Sequence, residues 1–172
     1  VVLYTFEQQE LYFKIPRGHQ VAGPAESVIC ALLLPAMQRN TDIEISSKYV
    51  VCSDFLANLV RLQEIYVTWY PELHRIDVRA ARIRDAATVV QTEDHKNSVA
   101  AFFSGGVDAC YTLLKHQDEL TELIYVRGID MQLDDDTLWQ TCVSRNQSIA
   151  DAYGKNLVTV ETNVRFFIRA LS

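Results

Sequence analysis

Ser104, Gly105, Gly106 and Asp108 stand in the order Ser-Gly-Gly-Val-Asp, directly after the apolar run Val99 to Phe103 and directly before a helical pattern. That placement has a chemical meaning. A turn from a parallel strand into a helix exposes backbone N–H groups that have no helical partner. Together with the positive end of the helix dipole they make an anion site. Glycines let the main chain approach an oxyanion closely and take up positive φ. Ser104 adds a hydroxyl donor. Asp108 is no donor to phosphate. At the first helical turn it caps the turn, orients the loop, or holds a divalent cation that bridges phosphate oxygens. The parts describe a polyphosphate cradle, with a tight turn and a helix cap as the plainer alternative.

The spacing separates this cradle from three better-known loops. A Walker loop closes on Gly-Lys-Ser/Thr, and Lys115 comes too late. The dinucleotide fingerprint needs three spaced glycines, and only two adjacent ones are present. A nucleophile elbow needs a small residue where Phe102 stands. The stretch "FFSGGVDA" instead resembles the Ser-Gly-Gly-x-Asp-Ser loop of the PP-loop, or N-type, ATP pyrophosphatases. Asparagine, GMP, NAD and argininosuccinate synthetases and tRNA-modifying ligases and thiolases belong to that superfamily. The run "FFSGGVD…YTLLKH…LIYVRGIDMQLDD" is similar to a bacterial subset in which a leading domain like Val1 to Arg84 precedes the loop.

The resemblance implies a fold, a reaction and a site. Ser104, Gly105, Gly106, Val107, Asp108 and Ala109 match the loop that grips the pyrophosphate portion of ATP. Ser104 and Asp108 are then the candidate catalytic residues, with Asp108 as a Mg²⁺ ligand. The family splits ATP between its α and β phosphates, adenylates a carbonyl, carboxyl or amide oxygen, and lets a nitrogen or sulfur nucleophile displace AMP. Gly128, Asp130 and Met131, in "RGIDM", match the place where the family seats adenine and ribose. Ala109 departs from the pattern, which has a hydroxyl there. One lost charge-assisted hydrogen bond is worth about 1.5–3 kcal/mol. That loss favours a second reading, a catalytically weak nucleotide- or partner-binding module that keeps the loop as a fold element.

The elements that must carry these residues follow from periodicity. "VAAFF", "ELIYVRG" and "NLVTVET" read as strands covered on both faces. Between them lie a helix through Leu113 and Leu114 and a longer one from "DDDTLWQ" to Gly154, with Leu138, Cys142, Ile149 and Tyr153 as its inner stripe. Asp134, Asp135 and Asp136 suit a helix start better than a metal cluster. Glu161 and Asn163 fall at the ligand end of the third strand. The β-α-β-α-β order predicts a parallel sheet with right-handed crossovers.

Upstream, "LYTF" and "LYFKI" are extended, and helices are expected over Ala25 to Arg39, strained by Pro35, and from a cap at Ser53 or Asp54 to Pro71. "TDIEIS" and "HRIDVRA" alternate as strands. Arg75, Arg79, Arg82 and Arg84 form the one basic cluster, read as a solvated strand edge in preference to an anion site. The expected class is therefore α/β. A small leading α/β domain spans 1–84, a linker with a short strand at Thr88 to Val90 spans 85–98, and a partial doubly wound, Rossmann-like sheet spans 99–172. By the resemblance that sheet is adenine nucleotide alpha-hydrolase-like, with its later strands outside the chain.

Composition narrows the partners. Sixteen basic against 22 acidic residues give a net charge of −6, so counterion release from nucleic acid has little to work with. Cys30, Cys52, Cys110 and Cys142 are scattered without C-x-x-C or zinc spacing, which suits reduced thiols in a cytoplasmic protein. No apolar run reaches the ~20 residues of a membrane span. His19, His74, His95 and His116 are isolated, and Trp69 and Trp139 lie on apolar helix faces. The triplet Asn146-Gln147-Ser148 falls inside a predicted helix and carries no weight as a glycosylation site. The acceptor substrate and any homo-oligomeric state are left open by these residues.

Overall fold

The computed structural model describes residues 2–6, 9–19, 24–85 and 98–171. The short strand expected at Thr88 to Val90, most of the linker, and His95 lie outside the described residues. The molecule is a mixed α/β structure, and its described residues divide into two compact units. Those up to 19 and those from 98 to 167 form one. Those from 24 to 85 and from 168 to 171 form the other.

The first unit holds a five-stranded mixed sheet. Its strands are β1 (Val2–Phe6), β2 (Gln9–Lys14), β7 (Ala100–Phe102), β8 (Glu122–Arg127) and β9 (Asn156–Thr162), in the order β1-β2-β9-β8-β7. β7, β8 and β9 are parallel, with Phe102 opposite Ile124 and Leu123 opposite Leu157. The crossovers are α3 (Val107–Lys115) and α4 (Asp136–Ala152). A last helix, α5, runs over Val164–Leu171.

The hairpin β1–β2 was read from the sequence as part of a leading unit. Its β2 instead pairs antiparallel with β9, Phe13 opposite Thr162 and Lys14 opposite Glu161. Local pattern showed these residues to be strands, but strand partners are set by contacts remote in sequence. The Asn163 side chain locks the join, its Oδ1 accepting from the Tyr12 N–H (2.9 Å) and its Nδ2 donating to the Glu10 carbonyl (2.6 Å).

β8 alternates as a strand with one tightly covered face. Leu123, Tyr125 and Arg127 are buried, while Glu122, Ile124 and Val126 are half-buried. The covered face meets both crossover helices. Leu123 clusters with Phe103, Leu113 of α3, Leu120 and Ala150 of α4, and Tyr125 stacks on Trp139 of α4 at 4.9 Å.

The second unit holds α1 (Pro24–Arg39), which runs through Pro35, and α2 (Ser53–Trp69). Two short parallel pairs accompany them: β3 (Ile43–Ile45) with β5 (Val78–Ala80), and β4 (Val51–Cys52) with β6 (Ile83–Arg84). Its core gathers Ile29, Leu33, Met37, Val51, Leu59 and Ile76. α2 is capped by the backbone of Cys52 rather than by Ser53 or Asp54, which lie inside its first turn. Trp69, expected in the core, is 67 % exposed, because it closes α2 where the chain leaves the helix. The arginine cluster is neutralised in place. Arg75 pairs with Glu64, Arg79 with Asp77 and Asp42, and Arg84 with Glu26, while Arg82 donates to the Ser47 carbonyl.

Candidate functional site

The loop from Ser104 to Gly106 leaves the carboxyl end of β7, next to the carboxyl end of β8. This is the rim where open parallel sheets hold ligands. Phe103 anchors it: its side chain is fully buried, and its N–H donates to the Ile124 carbonyl (2.8 Å). Ser104 through Asp108 are exposed. Gly105 is left-handed at φ 79°, a conformation an L side chain resists. Gly106 is extended and forms the N-cap of α3, and the cap has no side-chain hydrogen bond. Asp108 therefore does not cap the turn. Its carboxylate has no hydrogen-bond or ion-pair partner among the described residues, and it faces solvent in the first turn of α3. Ser104 Oγ accepts from the Gly106 N–H (3.3 Å), so the hydroxyl folds back over the loop. Ala109 turns inward and packs, with Cys110, against the Phe103–Leu113 cluster.

A cavity of about 390 Å³ opens beside this loop. Phe102, Phe103, Ile124, Tyr125, Val126 and Ile129 make its walls, and Ser104 and Asp130 supply its polar groups. Phe102 is 74 % exposed here, so a flat apolar ring has a surface to lie on. The structure thus brings Ser104 and Asp130 to one cavity, while Met131, half-buried, does not line it. Gly128 has a different duty. It is buried at φ 95°, and a Cβ there would stand 1.8 Å from the Thr162 carbonyl oxygen. Its absent side chain lets the loop after β8 cross β9.

Three residues that the sequence did not single out hold this rim. Arg127 is buried, donating to the Leu133 carbonyl (2.7 Å) and Asp136 (2.5 Å), with Glu161 at 3.5 Å and the Trp139 ring at 5.5 Å. It clamps the segment that carries Ile129 and Asp130. Arg165 of α5 donates to the Ile129 carbonyl (2.8 Å). Asn146 of α4, only 3 % exposed, places Oδ1 2.8 Å from where a Gly105 Cβ would be. Spacing alone could have found Asn146, seven residues after Trp139 and four before Ala150, but its polarity hid it. The expected inner stripe was displaced accordingly, with Leu138 and Tyr153 exposed. A 97 % buried helical Asn cannot serve as a glycosylation acceptor in the folded chain.

Asp135, Asp136 and Glu161, near the same rim, are committed elsewhere. Asp135 caps α4, accepting from the Leu138 N–H (2.9 Å), and Asp136 pairs with Arg127. Glu161 takes Lys14 at 2.6 Å and the Tyr12 hydroxyl at 3.3 Å. The Lys14 hydrogen bond holds the Glu161 carboxyl below its ordinary range, against the opposing effect of burial. Among the described residues no three His, Cys, Asp or Glu side chains gather to hold a metal. The donor set fits Mg²⁺ only as an ion carried largely by phosphate oxygens and water, with Asp108 as a single protein ligand. For ATP the fit is broader: an exposed helix start, a glycine pair and an apolar cavity adjoin.

Comparison with family models, with curated proteins and with solved structures returns no match for this chain. No helix among the described residues is long and apolar enough to cross a membrane.

Proposed function

We propose that this chain carries the ATP-binding PP-loop domain of an AMP-forming ligase or transferase. The observation that carries the reading is the placement of Ser104-Gly105-Gly106-Val107-Asp108. The loop is exposed at the carboxyl end of a parallel strand, opens α3, and borders an apolar cavity that Ser104 shares with Asp130. The β7-α3-β8-α4-β9 unit is then part of a Rossmann-like, doubly wound sheet.

In this reading the free N–H groups of the first turn of α3 hold the pyrophosphate oxygens. Ser104 releases Gly106 and donates its hydroxyl to the same group. Phe102, Ile124 and Val126 seat the adenine, and Asp130 faces the ribose hydroxyls. Asp108 would hold Mg²⁺, which when bound would supply positive charge to offset that on pyrophosphate. An acceptor oxygen attacks the α-phosphorus, and the bond from that phosphorus to the bridging oxygen breaks. The contribution of the chain is positioning and charge stabilisation.

The inward-facing Ala109 methyl favours a second reading, a catalytically weak or inactive module that binds a nucleotide or a partner and keeps the loop as a fold element. Incubation of the chain with ATP, Mg²⁺, a panel of carboxylic acids and amides as acceptors, and hydroxylamine as the nucleophile that discharges the adenylated acceptor separates the two. The ligase reading expects AMP and pyrophosphate in equal amounts. ATP binding without either product leaves the second reading, and absence of ATP binding removes the ligase reading and leaves only a partner-binding module.

A further inference from the structure

We infer that Asn146 is a positioning residue for the phosphate loop, its amide donating to a loop carbonyl only when an oxyanion is bound. The inference rests on the phosphate-cradle reading above. Asn146 stands on α4, forty residues along the chain from the loop, yet its side-chain amide is pressed against Gly105. Its Nδ2 is fully buried and has no hydrogen-bond partner among the described residues. Leaving such a donor unpaired is costly, and native structures avoid it. An unpaired donor at a functional loop marks an arrangement completed by something else.

The loop next to it is under-bonded in the complementary sense. The Gly106 N–H is spent on Ser104 Oγ at a long 3.3 Å, and among the described residues the Gly105 carbonyl is met only by the Cys110 thiol at 3.8 Å. If an oxyanion takes both the Ser104 hydroxyl and the Gly106 N–H, that local bond breaks. The adjoining peptide is then free to turn its N–H outward to the anion and its carbonyl inward. The inward side is where the Asn146 amide waits, and a half-turn of that amide brings Nδ2 to the carbonyl. Gly105, without a Cβ, permits the rotation. Asn146 thus stabilises the anion-bound loop and not the empty one.

The test uses the whole chain, Mg²⁺ and inorganic pyrophosphate as the probe. Asn146→Ala is expected to weaken pyrophosphate binding about tenfold, the worth of a hydrogen bond plus the relieved donor. The thermal midpoint without ligand is expected to stay level or rise, because the variant deletes an unpaired buried donor. Asn146→Asp, which keeps the shape but replaces the donor with a charge, is expected to weaken binding further. A merely structural Asn146 gives the opposite pattern, a lower midpoint with unchanged affinity in whatever fraction folds, and that result overturns the inference. Side-chain NH₂ resonances of unmutated protein supply a reading independent of any variant. Those of Asn146 are expected to move downfield and exchange more slowly with saturating pyrophosphate. Saturable binding that leaves them unmoved also overturns the inference. If the unmutated chain binds no pyrophosphate, the cradle reading itself fails and this inference goes with it.

Discussion

Replacing Gly105 with alanine isolates the feature on which the loop depends. Two costs are expected. A left-handed L-residue costs about 1–2 kcal/mol. The new Cβ would also stand 2.8 Å from Asn146 Oδ1, well inside van der Waals contact, against a side chain that is itself buried. Crowding of this kind in a packed site costs about 1–3 kcal/mol. The sum is about 3 kcal/mol. Gly154→Ala is the internal control: Gly154 has φ 62° and nothing within 4 Å of its Cβ position, so it carries the backbone cost alone. Urea unfolding followed by the fluorescence of Trp139, in a Trp69→Phe background, reads the unit that holds the loop. Gly105→Ala should destabilise it by about 1–3 kcal/mol more than Gly154→Ala. Adding Asn146→Ala to Gly105→Ala should recover most of that excess. Equal effects of the two alanines, or no recovery in the double variant, would refute the packing of Asn146 on Gly105.

Gly128→Ala should be harsher still. Its Cβ meets a main-chain oxygen at 1.8 Å, where no side chain can give way, so a loss above ~4 kcal/mol or failure to fold is expected by the same urea assay. Ala109→Ser turns its hydroxyl toward the Phe103–Leu113 cluster, so it should cost about 1–3 kcal/mol of stability by the urea assay and leave pyrophosphate binding by calorimetry unchanged. Acid should weaken the β2–β9 join through Glu161. Its folded-state value lies below the ordinary 4.5, so its contribution is complete above that pH and is lost as the pH falls through the lowered value. Glu161→Gln should flatten that part of the stability profile measured between pH 6 and 2. Tyr125 is pushed up to about 12, chiefly by burial, so its contribution is present below pH 10 and fades between 10 and 12. Ultraviolet titration should find Tyr125 among the late tyrosines with Tyr12, its step near pH 12 lost in Tyr125→Phe.

Much of this structure is legible in the sequence because it is local. β8 and β9 declare themselves through apolar runs bounded by glycine or by acids, and α3 through the glycine pair before it. Gly105 was legible as a turn residue because a glycine pair between an apolar run and a helical pattern marks a strand-to-helix turn, and it takes a left-handed φ of 79° there. The rest depends on partners far along the chain. The pairing of β2 with β9 rests on Lys14, Glu161 and Asn163, residues that look like ordinary surface polar groups until they are brought together. Gly128 reads as a ligand-loop glycine, but the Thr162 carbonyl across the sheet is what excludes a side chain there. Asn146 was passed over for a comparable reason. Helical patterning looks for apolar residues, and a buried polar residue on the inner face has no signature apart from its position.

The central claim is that the main-chain amides from Gly105 to Ala109 hold the phosphates of a nucleotide. Amide chemical shifts of the labelled chain, followed while Mg²⁺ and pyrophosphate are added, test it most directly. The account predicts saturable shifts largest at Gly105, Gly106, Val107, Asp108 and Ala109, with smaller ones at Ile129 and Asp130. Saturable shifts centred on any other segment, or none at millimolar pyrophosphate, would contradict it.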